Sequence, residues 1–458
     1  MRFTSKPIAE SQEAPLADEG RWEELVQRFE RRHAPAKARP ESGNACYVVS
    51  VLGPRESADP GAKLREILGL VEAQGDRVVG REQLALARLD PRTHLGSGQA
   101  EALGERALEA GADMLVLDAE LSPSQMRNLE DAAGLPICDR EAVILNVFQA
   151  HARSRRAKIQ VEIAHLEYLR PRIRGLGLEM DQQAGGMMYA RGPGETASEL
   201  LARRLDGRLA DLRRALGKLA ESGRVQRRRR ADCGRIALVG YTNAGKTSLM
   251  NALTGTALSA RDRPFETLDA TSRSLSRHGG DVVISDTVGF IRRLPERLMA
   301  SFESTLAEVA EASLLAVVLD VSDPEWTLHL TTTQDVLERL GAAEVPRLYV
   351  LNKLDRHPGP LDEGVIDQQL GGAPWCALSS RDAEAVQRLR ERLVELARSE
   401  RRLARVFVPY EDVARMDLVH RRCEVLASDA KEHGVRFTLE ASPRVIERLT
   451  TNREEDRR

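Results

Sequence analysis

Arg235-Ile-Ala-Leu-Val-Gly-Tyr-Thr-Asn-Ala-Gly-Lys-Thr-Ser-Leu-Met-Asn251 is the stretch from which the rest of the chain can be read. Residues 236–239 are a short apolar run, the length of a buried strand. Gly240 and Gly245 bracket a loop that contains Asn243 and Ala244, and Lys246, Thr247 and Ser248 open a helix-forming segment. That order of strand, G-x-x-x-x-G-K-[ST] and helix belongs to phosphate-binding loops. Glycines let backbone N–H groups turn inward around a polyphosphate, and the helix N-terminus adds partial positive charge. In such a loop Lys246 reaches the β- and γ-phosphates and the Thr247 hydroxyl ligates Mg²⁺. A plain glycine turn entering a helix is the other reading, and the motifs downstream decide between them.

Residues 282–285 read as a strand that ends in Asp286-Thr287-Val288-Gly289. A carboxylate there can hold the shell of a magnesium ion through water, and the Gly289 amide can sense a γ-phosphate. Two further apolar strands, 315–320 and 348–351, follow, and the second delivers Asn352-Lys353-Leu354-Asp355. The Asp355 carboxylate can accept from the N1–H and exocyclic amine of guanine, a pair that adenine does not offer. After another short apolar segment come Ser379 and Ser380, where a backbone amide can meet the guanine carbonyl. These motifs, in this order and each after a strand, describe a guanine-nucleotide domain that takes GTP or GDP with Mg²⁺. Within Phe265-Glu266-Thr267-Leu268-Asp269, Thr267 lies 21 residues beyond Lys246. It is the expected switch threonine and second magnesium ligand, with Thr271 as competitor and Phe265 among the nucleotide contacts. Lys246, Thr267 and Gly289 are the expected catalytic group. Phe290 stands where many GTPases place a water-orienting glutamine. A phenyl ring cannot position water by hydrogen bonding, so intrinsic hydrolysis is expected to be slow.

The 458 residues suggest about three domains. At 42% apolar and 30% charged, with a net charge of −2, the chain offers no whole-molecule attraction to nucleic acid. Its five cysteines are scattered singly, which argues against a disulfide framework or a zinc site and for reduced thiols. No apolar run approaches the length of a membrane span and no signal-peptide core opens the chain, so a cytoplasmic protein is expected.

Residues 1–44 read as a polar, mobile tail, and 45–139 as a small α/β domain. That domain has expected strands at 47–52, 84–90 and 114–118 and helices at 63–74 and 99–110. Gly96-Ser97-Gly98 suits a tight turn or an anion contact. Over 140–230, Ile159, Ile163, Leu166 and Leu169 recur at helical spacing up to Pro171, and Leu205, Leu209, Leu212, Leu216 and Leu219 recur beyond a glycine-rich loop. This pattern predicts an antiparallel helical hairpin with a helix break at Pro171. Residues 151–174 carry seven Lys/Arg against two Glu, and 203–230 carry eleven against three acids. The hairpin is therefore a basic arm on an otherwise acidic chain. It is expected to contact a polyphosphate backbone, since aromatic residues suited to base stacking are few. The tip, Met187-Met188-Tyr189, either inserts into a partner or folds back. Residues 231–400 make up the nucleotide domain, 401–458 a small α+β domain, and a monomer is expected.

On these residues the chain resembles the HflX family of ribosome-associated GTPases over about residues 47 to 450. The resemblance rests on Gly240 to Thr247, on Asp286-Thr287-Val288-Gly289-Phe290, and on three stretches further upstream. These are Asp118-Ala-Glu-Leu-Ser-Pro-Ser-Gln125, Gln160-Val-Glu-Ile-Ala-His-Leu-Glu-Tyr168 and Arg191-Gly-Pro-Gly-Glu-Thr196. Val406-Phe-Val-Pro-Tyr410 onward is similar to the family's small C-terminal domain. It departs from the usual pattern at Met187 to Ala190, at Ala197 to Arg204, at Gly96 to Gln99 and at Ser380. The resemblance implies GTP-dependent binding to the large ribosomal subunit near the peptidyl-transferase region, and splitting of stalled or idle ribosomes under stress with ribosome-stimulated hydrolysis. Two other readings stand beside it: a GTPase of ribosome assembly or tRNA modification, and a nucleotide-sensing RNA scaffold with negligible turnover.

Overall fold

Ala-Cys-Tyr-Val-Val-Ser-Val-Leu has no glycine, proline, asparagine or aspartate to turn it, and it forms β1 (Ala45–Leu52), buried along nearly its whole length. The computed structural model describes residues 43–53, 60–183, 197–229, 233–256, 265, 271–275, 282–398, 402–441 and 443–450. The expected tail, the glycine-rich loop and Thr267 lie outside the described residues. So do Arg230 and the side chains of 222–229. The chain divides into two units, Met1–Asn146 and Val147–Arg458.

In the first unit β1 is followed by α1 (Pro60–Ala73), β2 (Arg77–Ala85), α2 (Ser97–Glu109), β3 (Met114–Leu117), α3 (Pro123–Ala133), β4 (Ile137–Asp139) and the start of α4 (Arg140–His151). The strands pair in parallel in the order β2-β1-β3-β4, as strands joined through crossover helices do. Helix α3 begins with a capping box between Ser122 and Gln125 and ends at left-handed Gly134. Gly96 caps α2 with φ 91° and donates its N–H to Thr93 Oγ1 at 2.9 Å, so the Gly-Ser-Gly segment makes a turn. The strand expected at 84–90 lies earlier. β2 is a half-buried edge strand whose Arg77, Arg81 and Glu82 dilute its apolar signal.

The second unit opens with α5 (Arg155–Gln183) and α6 (Ala197–Arg229). Ile159, Ile163, Leu209 and Leu212 are buried between them, with Leu166, Leu216 and Leu219 packed alongside. Helix α5 does not break at Pro171 but runs on to Gln183. The guanidinium of Arg172 donates to the Tyr168 carbonyl at 2.9 Å and lies 3.5 Å from the Tyr168 ring centroid, which satisfies backbone beside the residue that lacks an N–H. Across the helices Arg170 pairs with Asp206 at 2.7 Å, Arg208 with Glu162 at 2.7 Å and Arg213 with Glu167 at 2.6 Å. Asp211 is held by Arg214 within α6. Each exposed pair contributes only about 0–1 kcal/mol. Together they engage these acids, and the surplus that remains is basic.

Next come β5 (Gly234–Val239), α7 (Lys246–Thr254), β6 (Thr271–Ser274), β7 (Val282–Asp286), α8 (Glu296–Ala310), β8 (Leu314–Asp320), α9 (Trp326–Arg339), β9 (Arg347–Asn352), α10 (Glu363–Leu370), β10 (Trp375–Ala377) and α11 (Ala383–Ala397). They build a sheet in the order β10-β9-β8-β5-β7-β6 in which only β6 runs antiparallel. The inner strands are almost continuously apolar because helices cover both faces. The chain closes with β11 (Arg402–Pro409), α12 (Val413–Arg422), β12 (Glu424–Lys431), β13 (Gly434–Ala441) and α13 (Pro443–Thr450). These form an antiparallel sheet, β11-β13-β12, whose core holds Val406, Val408, Phe437, Leu439, Val445 and Leu449. The fold is α/β and multidomain: a nucleotide-type parallel sheet preceded by a small α/β sheet and two long helices, and followed by a small α+β element. No helix among the described residues is long and apolar enough to cross a membrane.

Candidate functional site

The carboxyl ends of β5, β7 and β9 bring the site together. Gly240 leaves β5 at φ 146°, and a Cβ on it would stand 2.2 Å from the Val318 carbonyl oxygen. Gly245 enters α7 at φ 92°, and a Cβ there would stand 2.3 Å from Asn352 Nδ2. Only glycine fits either place. Between them Asn243 is exposed at φ 61°, while Ala244 is buried. Lys246 turns back into the loop and donates to the carbonyls of Gly240 at 3.1 Å and Tyr241 at 2.9 Å. Burial pushes its ammonium down to about 8, with Asp286 opposing that shift and Lys353 adding to it. Thr247 Oγ1 donates to Asp286 Oδ2 at 2.8 Å, and Asp286 is fully buried at the end of β7. Ser248 follows, half-buried, in the first turn of α7.

The segment after β7 is pinned to this loop. A Cβ on Gly289 would lie 2.9 Å from Thr242 Cα and 3.1 Å from Lys246 Nζ. Phe290 N–H donates to the Gly240 carbonyl at 3.1 Å, and Thr242 N–H donates to the Phe290 carbonyl at 2.7 Å. The Phe290 ring is 1% exposed, so it faces the protein interior and not water. Arg292 N–H donates to Tyr241 Oη at 3.1 Å, the Tyr241 ring stacks on His329 with centroids 3.8 Å apart, and Arg292 pairs with Glu325 at 2.5 Å.

The base-side segment is built around Asn352, which is fully buried. Its Nδ2 donates to the Ala244 carbonyl at 3.0 Å and its Oδ1 accepts from Ser380 N–H at 3.1 Å. Lys353 sits at φ 62° with Nζ 2.7 Å from Asp320. Ser379 Oγ donates to Asp355 Oδ1 at 2.7 Å, and Arg381 reaches Asp355 Oδ2 at 3.3 Å. The Ser379 hydroxyl above all, with Arg381 and Arg356, holds the Asp355 carboxyl below the usual carboxylate range.

The structure thus draws Gly240, Asn243, Ala244, Gly245, Lys246, Thr247, Ser248, Asp286, Gly289, Asn352, Lys353, Asp355, Ser379 and Ser380 to one end of the sheet. Phe265 is placed differently from a simple nucleotide contact. Its ring is buried with its centroid 4.5 Å from that of Phe148, and it is the backbone that faces the loop, with the N–H donating to Thr242 Oγ1 at 2.9 Å. Thr271 is in β6, in register with Asp286. Tyr241, Thr242, Arg292 and His329 were not singled out in the sequence. The first two occupy variable positions of the loop motif, and Arg292 and His329 carry no pattern that would mark them. Among the described residues no cluster of three or more His, Cys, Asp or Glu could hold a metal ion.

With its base-side asparagine hooked into the phosphate loop, this sheet is that of a P-loop GTPase. Three family models match: GTP-binding GTPase N-terminal over 61–149, GTP-binding GTPase Middle Region over 151–230, and 50S ribosome-binding GTPase over 235–353. GTPase HflX of Spirochaeta thermophila is 41% identical over 325 residues, 70% of this chain and 80% of its own length. GTPase HflX of Magnetococcus marinus is 34% identical over 416 residues, 89% of this chain and 95% of its own length. Among solved structures, a GTP-binding protein from the hyperthermophilic archaeon Sulfolobus solfataricus in complex with GDP is similar at TM-score 0.43 and 22% identity, over 78% of this chain and 99% of that one. The chain belongs to the HflX family of GTPases.

Proposed function

We propose that this GTPase is a cytoplasmic, monomeric factor that binds the large ribosomal subunit in its GTP form, splits stalled or idle ribosomes under stress, and leaves after hydrolysis to GDP and phosphate. The observation that carries the reading is the joint between the basic helices and the nucleotide domain. Gln160 Nε2 on α5 donates to the Ser301 carbonyl on α8 at 2.6 Å, and the two helices pack together. Helix α8 directly follows the segment bonded to the phosphate loop, so the basic arm is rooted on the helix next to that segment. The resemblance of this chain to ribosome-associated relatives supports the same partner, contacted through the hairpin and the glycine-rich loop.

In this reading Lys246 spans the β- and γ-phosphates, and the amides from Asn243 to Thr247 cradle them. The Gly289 amide reports the γ-phosphate. Asp355 accepts from guanine, with the backbone at Ser379 and Ser380 meeting its carbonyl. Thr247 and Thr267 are the side chains that would hold Mg²⁺. The hydroxyl–carboxylate pair of Thr247 and Asp286 suits a hard cation that prefers oxygen ligands, which when bound neutralises phosphate charge. Because Phe290 points inward, the group that orients the attacking water comes from a partner or from rearranged switch segments. The test is GTP turnover by the purified protein with and without large ribosomal subunits. Stimulation of many fold supports the reading. Background turnover in both, with intact GTP binding, would support the low-turnover scaffold instead. Stimulation only by a precursor particle would support an assembly factor.

A further inference from the structure

Phe148, in the last turn of α4, is fully buried against two aromatic rings, Phe265 beyond α7 and Phe302 on α8. Its ring centroid is 4.5 Å from that of Phe265 at an interplanar angle of 46°, and 5.3 Å from that of Phe302 at 41°. Phe302 lies on α8, one residue after Ser301, whose carbonyl takes the bond from Gln160 of α5. Phe265 is held at φ 58°, a left-handed conformation that a bulky aromatic residue adopts only when its surroundings force it. Among the described residues two contacts hold it: the ring against Phe148, and the N–H donated to Thr242 Oγ1 at 2.9 Å. Thr242 is the phosphate-loop residue against which Gly289 packs. A continuous line of contacts therefore runs from the phosphate loop through Phe265 and Phe148 to Phe302 and Gln160.

We propose that Phe148 is a positioning residue of the GTPase: it holds Phe265 over the phosphate loop and links that ring to Phe302 of α8, so that nucleotide state is carried to α5. A ligand can shift such an equilibrium only through differential contact with two states. Here the differential contact is the Thr242–Phe265 bond, which forms part of the loop that a phosphate would fill. The strained backbone of Phe265 supplies the second state, because loss of either holding contact releases it. Coupling of this kind is reciprocal, so a change in α5 must also change the relative affinity for the two nucleotides. This coupling is a property of the GTPase by itself and requires no ribosome.

The test is hydrogen exchange over residues 155–172 of the full-length protein, bound to GDP or to a non-hydrolysable GTP analogue. It is run on wild type, Phe148→Leu, Phe265→Leu and the double variant. Wild type should show a nucleotide-dependent difference in protection. Phe148→Leu should shrink that difference, and move the ratio of analogue to GDP affinity about fivefold or more, while GDP still raises the melting temperature. The double variant should be no worse than either single one, as expected for one shared contact. Phe148→Met, closer in volume, replaces Leu if the latter does not fold. The proposal is overturned if wild type shows no difference over 155–172, or if the variants lose stability but keep the full difference and the wild-type affinity ratio. A negative result here leaves ribosome binding untouched, because no ribosome is in the assay.

Discussion

Asn352 Nδ2 stands 3.0 Å from the carbonyl oxygen of Ala244, and this one bond ties the segment that selects the base to the loop that cradles the phosphates. Asn352 is 0% exposed and also accepts from Ser380 N–H, so the phosphate loop and the Ser379–Ser380 segment both meet the base-side segment on a single side chain. Replacing it with alanine removes the side-chain partner of a buried carbonyl and of a half-buried amide. An unmade buried hydrogen bond costs about 1–3 kcal/mol, so GDP affinity in Asn352→Ala should fall by about ten- to a hundredfold. Titration calorimetry checks this. An affinity within twofold of wild type would mean that the loops keep their places without Asn352.

Base choice should follow Asp355. Asp355→Asn exchanges an acceptor for a donor, and preference should move from GTP toward xanthosine triphosphate. Ser379→Ala removes only the hydroxyl that steadies the carboxylate at 2.7 Å. It should weaken GTP binding by about tenfold, the low end of the worth of a hydrogen bond to a charged group because this one is exposed, and keep the preference for guanine. Competition between the two nucleotides for each variant separates these outcomes. If Asp355→Asn binds GTP and xanthosine triphosphate in the wild-type ratio, the carboxylate does not read the base.

Lys246 gives the site a pH dependence whose sign follows from burial. Its ammonium is held at about 8, below the ordinary lysine value of 10.5. Between those values the folded, nucleotide-free protein binds fewer protons than the unfolded chain, so its stability rises with pH through that window. Phosphates favour the ammonium, so GDP affinity should be flat below pH 8 and fall above it. Guanosine, which shares the base but lacks phosphates, is the control. The melting-temperature increase given by GDP, measured from pH 7 to 9, should shrink relative to that given by guanosine. Parallel pH profiles for the two ligands would place Lys246 away from the phosphates.

Much of this site could be read from the chain because its requirements are local. A loop that must place backbone at φ 146° beside Val318 and at φ 92° beside Asn352 needs glycine at 240 and 245, and the spacing records that need. The strands behind it are recorded as apolar runs because both of their faces are covered. Much of what escaped reading depends on neighbours distant in sequence: nothing near Phe265 announces that its ring packs on Phe148. The helix past Pro171 escaped for another reason, since proline is a breaker by rule and the continuation to Gln183 is a matter of local packing. The basic arm was legible as net charge. Its cross-helix pairs were not, since Arg208 and Glu162 are 46 residues apart and meet only once the helices dock.

Gly289 leaves no room for a side chain. A Cβ there would press on the Thr242 backbone at 2.9 Å, and backbone cannot swing aside as the end of a flexible side chain can. Gly289→Ala should therefore push the segment that follows β7 away from the phosphate loop. GDP binding should stay within about threefold of wild type, since the loop, Lys246 and Asp355 are intact, while affinity for a non-hydrolysable GTP analogue should drop by tenfold or more, the loss of about 1.4 kcal/mol. Equal losses for both nucleotides would show that the substitution damages the loop itself and not the response to the γ-phosphate.

The basic arm makes a prediction about salt. Residues 203–230 carry eleven Lys/Arg against three acids, and the run ends in four consecutive arginines from Arg227 to Arg230. Asp206 and Asp211 are already engaged by Arg170 and Arg214, and by sequence the segment carries a clear excess of positive charge. Each phosphate neutralised on a nucleic acid contributes about 0.7–0.9 to the slope of log affinity against log salt. Reversing all four arginines to glutamate should weaken binding of the GTP-analogue form to large ribosomal subunits and flatten that slope by about 3. GTP binding in the absence of ribosomes should not change. A slope equal to wild type would show that the run is a solvated face, and would move the RNA contact to the other basic segment, residues 151–174.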